Sequence, residues 1–177
     1  MRFTEAQNVK AIKGWLSGPQ IVGEFGQQPL TYINEMTQAL ELQAIEVSQT
    51  IDSTDLFSGI ETVLTRLSIQ TFNNKEAIEQ QLEESAHYTA LYIIDCQAIQ
   101  WAEIQEHDSL NIDFWAEKAQ SYNLLWAMNY DAQNVLEVIE NIQPLGIELL
   151  GGMELDTGLQ SFENIDPIID VLEMEEE

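Results

Sequence analysis

Asp95 and Cys96 stand side by side at the end of an apolar run, Leu91-Tyr92-Ile93-Ile94-Asp95. A carboxyl group at the end of a buried strand can donate a proton if an apolar mouth raises its pKa. The same position suits a helix N-cap or a strand-end hydrogen-bond acceptor, so the residue alone leaves both roles open. Neighbouring side chains of a strand point to opposite sides, so Cys96 is not expected to work with Asp95 and reads as a buried apolar residue. The two histidines, His87 in a turn before a strand and His107 in a Glu-rich stretch, have no metal-ligand spacing and read as surface residues. There is no Asp-x-Asp-x-Asp-Gly loop for calcium. The expected cofactor and metal content is therefore none, and the four tryptophans are expected to pack rather than to stack on a ligand.

Charge narrows the partners. Six basic residues stand against 31 acidic ones, a formal net charge of −25. Nucleic acid is an unsuitable partner, because phosphate neutralisation needs Lys and Arg. Such a field also repels anionic metabolites at long range unless a local basic site overcomes it. Acidic helix faces and the tail Glu173-Met174-Glu175-Glu176-Glu177 read mainly as solubility. The apolar stretches are short and interrupted, the N-terminus does not resemble a signal peptide, and there is one cysteine. The expectation is a cytoplasmic protein with no membrane partner.

The elements that must position Asp95 alternate along the chain. Thr4, with Gln7 three residues on, reads as the cap of an opening amphipathic helix through Ala6, Val9, Ile12 and Leu16, stopped by Ser17-Gly18-Pro19. Six apolar runs then read as buried parallel strands: Ile21–Phe25, Ala44–Val47, Leu67–Ile69, Leu91–Asp95, Leu124–Trp126 and Gly146–Leu150. Helices are expected over Leu30–Leu40, Lys75–Glu84, Asn134–Ile142 and Ile165–Leu172. Pro29 suits a helix start, while Pro144 and Gly146 lie just past a helix end. One α/β domain over residues 1–172, with an acidic tail at 173–177, follows. Alternation admits an open doubly wound sheet or a (β/α) barrel. Phe25-Gly26-Gln27-Gln28-Pro29 is no G-x-G-x-x-G turn, which disfavours a dinucleotide-binding sheet.

The order of local motifs resembles phosphoribosylanthranilate isomerase, a small (β/α)₈ barrel of tryptophan biosynthesis, from Arg2 to about Leu172. Gly18-Pro19-Gln20-Ile21-Val22-Gly23-Glu24-Phe25 is similar to that family's third strand, V-G-V-F, and Leu42–Val47 to its fourth, L-D-x-V-Q-L-H. Ile93-Ile94-Asp95-Cys96 resembles the sixth, L-L-D-[ST], Asp113-Phe114-Trp115 the F-D-W before the seventh, and Asn134-Val135 the next helix's N-V. Gly146–Glu154, followed by Gly158, resembles the ending G-x-D-x-S-S-G-V-E…G. On this resemblance Arg2-Phe3 falls on S-P-R-[YF], and the first two strands, including K-[IV]-C-G with the catalytic cysteine, would lie before Met1. The implied fold is a TIM-type (β/α) barrel of about six parallel strands, incomplete at its N-terminus.

The resemblance also implies chemistry, an Amadori rearrangement of an aminofuranose phosphate. It assigns Asp95 as general acid, Arg2 as holder of the anthranilate carboxylate, and Gly151-Gly152 as phosphate-binding backbone after the last strand. No residue is assigned as base. The chain departs from the pattern at Met128-Asn129, where the family has a glycine pair, and across Gln97–Asp108, where G-G-T-G is unrecognisable. The expectation is an isomerase-like protein, impaired or truncated as it stands, taking a small phosphorylated metabolite if active. Alternatives are an inactive barrel-derived binding or structural protein and, more remotely, an open sheet binding another ligand at its strand ends. Exposed sheet edges predict self-association unless the first helix covers them.

Overall fold

The computed structural model describes residues 20–51, 59–70, 74–150, 154–156, 159–161 and 163–174. The opening helix from Thr4, with Arg2 before it, and Gly151-Gly152 lie outside these residues. Six strands form one sheet in chain order: β1 Val22–Gly26, β2 Ala44–Val47, β3 Thr62–Ser68, β4 Leu91–Asp95, β5 Leu124–Ala127 and β6 Gly146–Glu148. Helices α1 Leu30–Leu40, α2 Lys75–Ser85, α3 Trp101–Gln105, α4 Ile112–Ser121, α5 Asn134–Ile142 and α6 Asp166–Met174 alternate with them. A doubly wound sheet reverses its strand order at a switch point, and this order never reverses. It is the sequential, parallel order of a β/α barrel wall. A short antiparallel hairpin, β7 Glu154–Asp156 with β8 Leu159–Gln160, precedes α6 and was not expected from the sequence.

Helix and strand limits follow local chemistry, with informative exceptions. The expected ranges of α1 and α5 coincide with the observed ones. Strand β3 begins five residues before the expected Leu67, because Thr62, Thr65 and Arg66 break the apolar run although they belong to the strand. Helices α3 and α4 were unassigned. The first is closed by a capping box between Gln100 and Glu103, and the second by Asn111, whose side chain accepts from the Phe114 N–H. Glycine was expected after α5, yet Gln143 takes the left-handed position at φ 55°. Gly146 instead enters β6, where an added Cβ would lie 3.2 Å from Leu125.

The chain clusters into two compact units, Met1–Arg66 with Gln80–Leu91 and Leu67–Glu79 with Tyr92–Glu177. In the first, β1 pairs parallel with β2 and β2 with β3. Phe25, Ile45, Val47 and Val63 pack with Ile33 and Leu40 of α1 in one apolar cluster. Alternation turns Glu24, Glu46, Leu64 and Arg66 to the opposite face. There the Arg66 guanidinium grips the Glu46 carboxylate with two bonds, Nε to Oε1 at 2.5 Å and a second at 3.3 Å. Pairing compensates for burial of the Glu46 charge.

In the second unit β4, β5 and β6 pair parallel in register. Trp126 of β5 meets Trp115 of α4 edge to face at 5.2 Å, and neither is exposed. The Trp115 indole donates to the Leu110 carbonyl, whereas the buried Trp126 indole N–H has no hydrogen-bond acceptor. This contact identifies the helix-covered face of the sheet. Residues one position along each strand therefore point away from α4.

Candidate active site at the strand ends

Asp95 is the last residue of β4, at the C-terminal end where barrel catalysis occurs. It is half-buried, and its Oδ1 accepts the Gln97 N–H at 3.1 Å, so the hydrogen-bonding role open from the sequence is realised. Cys96 is fully buried and its N–H donates to the Ala127 carbonyl at 2.7 Å. Burial first, and then the neighbouring Asp95 charge, pushes the Cys96 thiol well above its ordinary pKa. A thiol so held stays protonated and is neither a base nor a nucleophile.

Register brings a second carboxylate to the same row. Asp95 is the partner of Ala127, and Ala127 is the partner of Glu148 at the end of β6. All three lie on the face turned from α4, with Ala127 between the two acidic residues. Beyond them Met128, Asn129, Tyr130, Leu149, Leu150 and Ile165 line a pocket of about 70 Å³. The Tyr130 hydroxyl donates to the Trp126 carbonyl at 2.6 Å, and burial pushes its pKa above the ordinary range. Tyr130 is thus a neutral hydrogen-bonding wall.

The loop after β5 is tied down by its own side chains. Asn129 is not a glycine, and its Nδ2 donates to the Gln97 carbonyl at 2.7 Å, tying this loop to the one after β4. At the start of α5 the Asp131 carboxylate already accepts the Gln133 and Asn134 N–H groups at 2.9 and 2.8 Å. A fixed carboxylate occupies donors that a phosphate would use. The described basic side chains are also engaged: Arg66 with Glu46, Lys118 with Glu79 at 2.7 Å, and Lys75 with Lys118 over the Phe114 ring.

Of the residues singled out in the sequence, only Asp95 is brought to this site by the described structure; Arg2, Gly151 and Gly152 fall outside it. His107 caps the chain before α4, its Nδ1 accepting the Ser109 and Leu110 N–H groups. Glu148, Tyr130 and Asp131 escaped sequence reasoning. For Glu148 the available signal was its place on the acid of the G-x-D-x-S-S likeness over Gly146–Glu154, and for Asp131 its place three residues before Asn134. Among the described residues no group of three or more His, Cys, Asp or Glu could hold a metal ion, and no helix is long and apolar enough to cross a membrane.

Sequential parallel strands with helices between them define a β/α-barrel fold, with a polar row at the C-terminal ends of β4, β5 and β6. Within that class its fold is that of phosphoribosylanthranilate isomerase. The enzyme from Thermotoga maritima superposes over 97% of this chain and 82% of its own, with TM-score 0.69 and 14% identity. The Pyrococcus furiosus N-(5′-phosphoribosyl)anthranilate isomerase gives 0.68 over 97% and 82%, with 17% identity. An isomerase in complex with reduced 1-(o-carboxyphenylamino)-1-deoxyribulose 5-phosphate gives 0.68 over 97% and 81%, with 14% identity. No protein-family model and no curated protein sequence matches the chain. Identity this low speaks for the fold and leaves activity to the site.

Proposed function

We propose that this chain is a phosphoribosylanthranilate isomerase-like protein, with Asp95 as general acid for an Amadori rearrangement and with impaired handling of the substrate phosphate. The observation that carries the reading is the position of Asp95, half-buried at the end of β4 in the row it shares with Ala127 and Glu148. A carboxyl group there can reach the ring oxygen of an aminofuranose set over the Ala127 methyl. Impairment follows from the Asp131 carboxylate on the first N–H groups of α5 and from Met128-Asn129 in place of a glycine pair.

Those same two features favour a second reading, a barrel-derived binding protein that performs no rearrangement. Complementation separates the two. Expressed in cells lacking phosphoribosylanthranilate isomerase, the chain is expected to support slow growth without tryptophan, and the Asp95→Asn variant none. Soluble, folded protein that gives no growth would overturn the isomerase reading in favour of the binding one.

A further inference from the structure

We propose that the pocket over the ends of β5 and β6 takes the uncharged, apolar end of a small ligand and disfavours a phosphate there. As a statement about substrate this rests on the isomerase reading above, and it names an aminofuranose without its phosphate as the preferred class. None of the eight residues that line the pocket carries a charge. Five are aliphatic or thioether side chains, and the others are Asn129, Asn164 and Tyr130. Burial keeps the Tyr130 phenol protonated, so it adds no anion. Leu150 stands 44% exposed on this lining, an apolar surface that a ligand would withdraw from water. At about 70 Å³ the pocket is close to half the ~150 Å³ of a cavity that binds benzene, which leaves room for a group of a few heavy atoms.

Size does not separate such a group from a phosphate; charge and donors do. Two helices start beside the pocket, and helix starts hold anions through free backbone N–H groups. Ahead of α5, Asp131 directly follows the lining residue Tyr130, and the N–H groups of Gln133, Asn134 and Val135 all donate to oxygens of Asp131. Helix α6 directly follows the lining residues Asn164 and Ile165. It opens with Asp166 and with Pro167, which has no N–H. The next two N–H groups, of Ile168 and Ile169, both donate to the Ile165 carbonyl, at 2.9 and 3.0 Å. Each helix start thus carries an aspartate and has its donors occupied. No Lys or Arg is among the lining residues, so none of them pairs a phosphate charge brought into the pocket.

Calorimetry on the full chain compares the reduced product analogue with the same compound freed of its phosphate by phosphatase. The phosphate-free form is expected to bind at least about 10-fold more tightly, since an unpaired charge opposes burial of the other. Leu150→Lys, a change at an exposed side chain, should reverse that order by supplying a cation. NMR of the labelled chain then probes the pocket by itself, with isobutanol and with inorganic phosphate. Isobutanol should give saturable amide shifts at Met128, Leu149 and Ile165, and phosphate none. Tighter binding of the phosphorylated analogue would overturn the pocket assignment and leave the isomerase reading standing. Phosphate shifts at those residues, absence of isobutanol shifts, or an unchanged order in Leu150→Lys would overturn it as well. If neither form of the analogue binds while isobutanol still shifts these amides, the isomerase reading falls and the pocket assignment stands.

Discussion

Asp95 could be located from sequence because its signals are local: an apolar run, an acid at its end, and a motif around it. Glu148 falls on the acid of the G-x-D-x-S-S likeness, but its place level with Asp95 across Ala127 joins strands more than fifty residues apart, a relation that no window along the chain contains. Cys96 was expected to be an inert apolar residue, and its burial bears this out. A consequence follows for pH. The thiol is neutral in the folded chain but free to ionise when unfolded, so its folded pKa is the higher of the two. Its contribution to stability is full below the unfolded pKa of about 8.5 and declines as pH rises above it, by at most about 1.4 kcal/mol per pH unit. Urea unfolding at pH 7 and pH 9.5 should show this decline for the native chain and a smaller one for Cys96→Ala. Iodoacetamide should label Cys96 in urea and leave it untouched in the folded protein.

Gly23 shows why an element could resemble its counterpart while its cause stayed hidden. The V-G-V-F likeness located β1, but the need for glycine is a packing fact. A Cβ on Gly23 would lie 2.6 Å from Leu42 Cδ1 and 2.8 Å from the Phe25 ring. Both neighbours are buried, so neither can swing away freely. Gly23→Ala is expected to destabilise the chain by about 1–3 kcal/mol in denaturant titration, as overpacking does. Elements with regular apolar spacing, α1 and α5, were readable to the residue. Those held by caps rather than by period were not: α3 rests on a glutamine cap, which carries a weak sequence signal, and α4 on Asn111. Gln143 likewise takes a left-handed position that sequence rules reserve for glycine.

For the molecule, alternation of strand and helix left two architectures open, and only strand order separates them. That order is non-local, set by which strands pair, and it runs from β1 to β6 without reversal. The charge of −25 is legible in composition alone and opposes anion binding in the same sense as the Asp131 carboxylate on the donors of α5, which only the fold reveals. The account therefore turns on one place, the ends of β4, β5 and β6. Titrating isotopically labelled protein with the reduced product analogue, and following amide resonances by NMR, tests it. The account predicts saturable shifts at Asp95, Ala127, Asn129, Tyr130 and Glu148. Absence of shifts at millimolar analogue, or shifts confined to residues away from those strand ends, would contradict it.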